Sequence, residues 1–199
     1  MTEKGYVKFN CHWIKSNPIN EEQIYELNVW RDKLFRLGLI GVYPNGIGYG
    51  NISVRLKGNN FLITGTSTGQ FPILNVEHYT QVISYSFSEN IITCRGPIKA
   101  SSESLTHASL YETDLEANAV IHIHSLPLWK KLLNHNDVPT SSSDIEYGTP
   151  EMAIEIKRLF GETNLKETKI LVMGGHEEGV VAFGKNIDEA GKILMDLVL

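Results

Sequence analysis

Six consecutive residues, Ala119-Val120-Ile121-His122-Ile123-His124, constrain this chain more than any others. The run is β-branched and alternating, which predicts a strand whose successive side chains point to opposite faces. Ile121 and Ile123 then pack one face, while His122 and His124 share the other. Two residues of strand rise come to roughly 6.6 Å, which lets both imidazoles reach one metal ion. A polar strand face is the plainer reading of the same pattern. A metal needs a third ligand, and the far end of the chain supplies the candidate. His176 lies in Gly174-Gly175-His176-Glu177-Glu178-Gly179, a tight connection between two predicted strands. Glycines there let the backbone approach closely and free the ring to point inward. Three neutral imidazoles with an open fourth position describe a catalytic zinc site.

A second feature lies just upstream. Ser101-Ser102-Glu103 opens an apolar-periodic segment with Leu105, Ala108 and Tyr111 at helical spacing. A helix starting there would aim free backbone N–H groups and serine hydroxyls outward, a ready anion site. The plain alternative is a capped helix start whose Glu complements the dipole. His107 stands four residues beyond Glu103 on the same face, where a hydrogen-bonded helix histidine is the expected role. The stretch Gly65-Thr66-Ser67-Thr68-Gly69-Gln70 is rich in small and hydroxyl residues. It reads either as a flexible turn or as a nest of N–H groups for a phosphate.

Four motifs in order resemble the class II aldolase/adducin family, typified by fuculose-phosphate and ribulose-phosphate aldolases and epimerases. They are Gly50-Asn51-Ile52-Ser53-Val54-Arg55, Ser101-Ser102-Glu103 with His107, Ala117-Asn118 running into His122-Ile123-His124, and Gly175-His176. The resemblance runs from about Glu21 to the C-terminus. It implies an α/β fold, a three-layer α/β/α sandwich with a mixed central sheet. It also implies Asn51, Thr68, Gly69, Ser101 and Ser102 around a substrate phosphate. His122, His124 and His176 are implied on Zn2+ or another divalent metal, with Glu103 as the catalytic base. The turn at 65–70 is longer than in the family, so Thr66 stands as an alternative to Thr68. Glu177-Glu178 follows His176 where the family commonly has glycine. That pair is either a solvated turn or extra negative charge near the metal. Relatives form tetramers with sites at subunit interfaces, use a tyrosine proton donor and cover the site with a C-terminal tail. A homo-oligomer is therefore expected. The tail has no counterpart after Leu199, and Tyr147 is the nearest tyrosine in the corresponding loop.

A divalent metal with an open position can chelate a substrate carbonyl and its neighbouring hydroxyl. As a Lewis acid it stabilises the enediolate formed when a C–C bond breaks beside that carbonyl. The reaction needs a base, and Glu103 is the carboxylate in a family-matched position. The expected function is a metal-dependent lyase of aldolase type acting on a small sugar phosphate or related hydroxy-carbonyl compound. Two alternatives stay open: a non-catalytic, adducin-like interaction domain, and a dehydratase or epimerase on the same metal site.

The remaining sequence frames these motifs. Residues 1–19 are polar and read as an N-terminal arm, with His12 at the surface; residues 20–199 read as a single domain. Asn20 with Gln23 forms a possible capping box for a helix carrying Ile24, Leu27, Trp30, Leu34 and Leu37, ended by Gly38 and Gly41. Residues 43–50 read as a loop, 51–56 and 61–64 as a hairpin, and 75–79 as a short helix with a structural His78. A second hairpin is predicted at 81–87 and 91–95. After the histidine strand come a helix capped by Ser125, a serine-rich loop at 134–149, a helix from Pro150 to Gly161, and strands at 168–173 and 180–183. Asn186 with Glu189 caps a last helix. At 199 residues with 42% hydrophobic content the chain can bury one good core. A net charge of −5 and the absence of a basic block argue against nucleic acid or anionic membrane as partner. Two cysteines, Cys11 and Cys94, make no disulfide framework, and no apolar stretch approaches a membrane span. A cytoplasmic location is expected.

Overall fold

The histidine strand lies well inside an eight-stranded sheet, flanked on both sides by other strands. The computed structural model describes residues 9–135 and 137–198. In chain order, β1 (Asn10–Lys15) precedes α1 (Tyr25–Arg36), and a two-residue pair follows, β2 (Gly41–Val42) and β3 (Gly48–Tyr49). Next come β4 (Asn51–Arg55), β5 (Phe61–Thr64), β6 (Tyr79–Ser86), β7 (Ile91–Gly96), α2 (Ser104–Thr113) and β8 (Ala119–His124). The chain closes with α3 (Leu126–Leu133), α4 (Pro150–Glu162), α5 (Leu165–Thr168), β9 (Ile170–Val172), β10 (Gly179–Gly184) and α6 (Ile187–Val198). The sheet order is β1-β7-β6-β5-β4-β8-β10-β9. β1 runs parallel to β7 and the other neighbours are antiparallel, so the sheet is mixed.

Alternation along β8 sorts the core into two layers. Ile121 and Ile123 join Leu27, Trp30 and Leu34 of α1 and Leu194 of α6 on one face. Val120 joins Leu105, Ala108 and Tyr111 of α2 and Met152 and Ile156 of α4 on the other. His122 and His124 share the Val120 face, beyond the point where aliphatic packing stops. Helices therefore flank a mixed sheet on both faces, the sandwich expected from the sequence. Among the described residues no helix is long and apolar enough to cross a membrane.

Several local expectations change. Within the arm read at residues 1–19, Asn10–Lys15 adds an edge strand and Trp13 Nε1 donates to the Gly96 carbonyl at 2.9 Å, while residues 1–8 lie outside the described residues. Residues 43–50 are not a bare loop but close the β2–β3 pair, with Tyr43 N bonded to Ile47 O at 2.8 Å. Asn20 makes no side-chain cap; a 3-10 turn at Glu21–Ile24 leads into α1 instead. Gly161 does not stop α4, which runs to Glu162, and residues 165–168 are a short helix before β9. The caps read from the sequence at Ser125 and Asn186 accept backbone N–H groups, and Thr149 caps α4 in the same way.

Candidate metal centre

Sheet register builds the site. His122 lies opposite Asn51 of β4 and Val181 of β10, and His124 lies opposite Gly179. The connection from Met173 to Gly179 delivers the third imidazole. It is closed by His176 N to Met173 O at 3.1 Å and Gly179 N to His176 O at 2.9 Å. A Cβ on Gly179 would fall 2.7 Å from His176 Cδ2 and 3.2 Å from His122 Nε2, so glycine is what lets these rings close on one another. Ring centroids stand 4.9 Å apart for His122 and His124, 5.3 Å for His122 and His176, and 4.6 Å for His124 and His176. One ligand nitrogen from each lies within 4.8 Å of the others.

The donor set fits a divalent ion. All three rings are buried, and His122 Nε2 has no hydrogen-bond partner. Burial pushes the His122 pKa down to about 3, so the ring is neutral, the form that ligates a metal. The Asn51 amide nitrogen stands 3.4 Å from His122 Nδ1, while its buried oxygen has no partner. Turned about its last side-chain bond, the amide presents that oxygen to Nδ1–H and leaves Nε2 as the ligand atom.

Glu103 sits just before α2 and is buried beside the cluster. Its Oε1 lies 3.8 Å from His176 Nε2, and its Oε2 accepts from Thr106 Oγ1 at 3.0 Å. Thr106 also accepts Gly148 N–H at 3.3 Å, which ties the carboxylate to the turn carrying Tyr147. The Tyr147 ring centroid is 4.3 Å from that of His176. His107 does not orient Glu103; it is buried behind the site with Nδ1 2.6 Å from Ser53 Oγ. Burial, then the neighbouring His122, hold its pKa well below the ordinary histidine value.

The residues read as an anion site come to the same cleft. Asn51, Thr66, Thr68, Gly69, Ser101 and Ser102 line it together with the three histidines and Glu103. A Cβ on Gly69 would fall 2.0 Å from the Gly41 carbonyl oxygen, so the turn packs on β2 at glycine distance. The Thr68 hydroxyl donates to Gly65 O at 2.9 Å, which commits its proton inside the turn. Beneath it Arg31, fully buried in α1, donates to the carbonyls of Pro72 at 3.0 Å and Thr68 at 3.2 Å.

Sequence reasoning missed Tyr43, Tyr49, Thr106 and the orientation of Glu178. The Tyr43 hydroxyl lies 2.7 Å from His124 Nδ1 and donates to Glu178 Oε2. Burial, and then the hydrogen bond to Glu178, raise the Tyr43 pKa well above the usual phenol value. Tyr49 stacks on His124 with centroids 5.4 Å apart. The only sequence signal was glutamate where the family commonly has glycine.

Residues 45–198 match the family described as Class II Aldolase and Adducin N-terminal domain. The chain belongs to the class II aldolase/adducin family. L-fuculose phosphate aldolase of Haemophilus influenzae is 31% identical over 151 residues, 71% of this chain and 65% of that protein. The chain thus spans just under two thirds of that relative's length. Among solved structures, the L-fuculose-1-phosphate aldolase of Thermus thermophilus superposes with a TM-score of 0.63 at 23% identity, covering 86% of this chain and 87% of that one. The sugar-phosphate aldolase from Thermotoga maritima gives 0.65 at 20%, covering 88% and 90%. At such identities the structural likeness speaks to the fold.

Proposed function

We propose that the chain is a metal-dependent lyase of aldolase type acting on a small phosphorylated hydroxy-carbonyl compound. The observation that carries this reading is a buried carboxylate, Glu103, 3.8 Å from the third of three clustered imidazoles. A module that only binds a partner has no use for that set. His122, His124 and His176 would hold the ion, zinc by the chemistry of three neutral nitrogens. When bound, such an ion supplies Lewis-acid stabilisation of negative charge on a substrate carbonyl oxygen.

The chain's own residues do the rest. Glu103 takes a proton from the carbon beside the carbonyl in the condensation direction and returns one to it after cleavage. Thr106 holds the carboxylate by one oxygen and leaves the other facing the histidines. Asn51, Ser101, Ser102 and the turn at Thr66 to Gly69 would take the phosphate. With the Thr68 hydroxyl committed to Gly65, Thr68 and Gly69 contribute through backbone N–H groups, and Thr66 is the hydroxyl donor. The Haemophilus relative, an L-fuculose phosphate aldolase, supports the same substrate class.

The test is proton–deuterium exchange into dihydroxyacetone phosphate, which reports carbon deprotonation without knowledge of the aldehyde partner. Glu103→Gln keeps the shape and removes the base, so exchange should slow by ~10²–10⁴-fold. Metal content should stay near wild type. Exchange at undiminished rate would remove Glu103 from the chemistry. A metal-loaded wild type inert toward ketose phosphates would leave the fold as an interaction domain.

A further inference from the structure

Glu178 carries a side chain where glycine would be at ease: its φ is +75°, in the left-handed region. The turn itself does not require that side chain. What the turn uses is the Glu178 carbonyl, which accepts Ser125 N–H at 2.9 Å and which glycine would supply equally. The carboxylate instead reaches back across the sheet end to Tyr43, and Tyr43 in turn meets His124 Nδ1 at 2.7 Å.

We propose that Glu178 and Tyr43 are positioning residues for the metal centre, locking His124 in the tautomer that presents Nε2 to the ion. Proton counting fixes the direction. A carboxylate offers only acceptors, and a tyrosine hydroxyl has one proton. That proton goes to Glu178 Oε2, so the Tyr43 oxygen can only accept from the ring, and Nδ1 must carry the hydrogen. The Glu178 Oε2 charge, 3.6 Å from Nδ1, favours the same tautomer. A neutral imidazole with Nδ1 protonated has its lone pair on Nε2. Tyr49, stacked on the ring at an interplanar angle of 26°, limits its rotation. Hydrogen bonding to the far nitrogen of a ligating histidine both orients it and raises its basicity.

This inference rests on reading the three histidines as a metal centre, and its test separates the two. Zinc affinity is measured by competition with a chromophoric chelator for wild type, Tyr43→Phe, Glu178→Gly and Glu178→Gln. Tyr43→Phe and Glu178→Gly should bind zinc about 10–100-fold more weakly, the usual effect of losing such a partner. Glu178→Gln keeps an oxygen for the Tyr43 proton and should retain most of the affinity. Glu178→Gly should also raise, not lower, the melting temperature of the metal-free protein, because it relieves the backbone. Stability and affinity moving in opposite directions is an outcome that a merely structural role does not give. Long-range proton–nitrogen correlation spectra of the metal-free protein supply a second readout. His124 should be protonated at Nδ1 in wild type and populate both tautomers in Tyr43→Phe. Zinc binding within twofold of wild type in both weakened variants overturns the relay while leaving the metal centre intact. A wild type that binds no zinc, with the His124 tautomer as expected, overturns the metal centre and not the hydrogen-bond relay.

Discussion

At the scale of single residues, burial decides protonation. His122 and His107 are both fully enclosed, and both are held neutral well into acid, His122 down to about 3. Their unfolded counterparts titrate near the ordinary value of 6.5. Below that pH the unfolded chain binds protons that the folded one refuses, so stability falls as pH drops from about 6.5 toward 3. Each such histidine contributes up to about 1.4 kcal/mol per pH unit in that window. Chemical denaturation of metal-free protein between pH 6.5 and 5 should therefore give a positive slope of stability against pH. In His107→Asn that slope should be shallower, whatever the absolute cost of the substitution. An unchanged slope would mean that His107 takes up its proton inside the fold. Of the residues that meet at the cleft, His122 and His124 were legible from strand alternation, His176 from its glycine-flanked turn, and Glu103 from the Ser101-Ser102-Glu103 motif that resembles the family's. Tyr43 was not, since it meets His124 across 81 residues of sequence and no local pattern announces that contact.

At the scale of elements, α1 does more than cover the sheet. Its apolar stripe was readable as a helix period, but the buried cation within it was not, because Arg31 looks like a surface residue until its acceptors are known. The guanidinium satisfies the carbonyls of Thr68 and Pro72 and so holds the hydroxyl-rich turn in place. Arg31→Met fills similar space but takes the guanidinium from the Pro72 carbonyl and leaves the Thr68 carbonyl with only the Phe71 N–H at 3.2 Å. One orphaned acceptor and one weakened one should cost about 1–3 kcal/mol, read from urea unfolding. Inorganic phosphate at the proposed anion site is expected to protect the wild type against thermal unfolding, and the same variant should lose that protection, whereas a purely structural arginine would leave it intact. Short elements escaped the sequence for a related reason. β2 and β3 are two residues each, too brief for any period. β1 alternates half-buried Cys11 and Trp13 with exposed His12 and Ile14, a weak signal typical of an edge strand.

At the scale of the whole molecule, the layered architecture followed from the alternation of predicted helices and hairpins, while strand order did not. β4 pairs with β8, and β1 with β7, across long stretches of intervening chain, and only the folded sheet declares such partners. That architecture also determines how the protein should respond to gaining or losing an ion at the three histidines. The three clustered histidines come from β8 and from the turn before β10, two segments already joined by an antiparallel ladder from Gly179–His124 to Gly184–Ala119. Two separate apolar layers, one on each face of the sheet, are complete without an ion. Metal is therefore expected to tighten a fold that already stands, unlike small domains that unfold when stripped of zinc. Binding of a ligand at a hundred times its Kd stabilises by about 2.7 kcal/mol, which for a chain of this size raises Tm by about 5–10 °C. Calorimetry of chelator-treated protein should show one cooperative transition, lower by that amount and restored by stoichiometric zinc. Far-ultraviolet circular dichroism at 25 °C should be the same with and without the ion. Collapse of that signal on chelation would show that the two layers do not suffice alone. A Tm indifferent to both chelator and zinc would instead remove the metal from the three histidines.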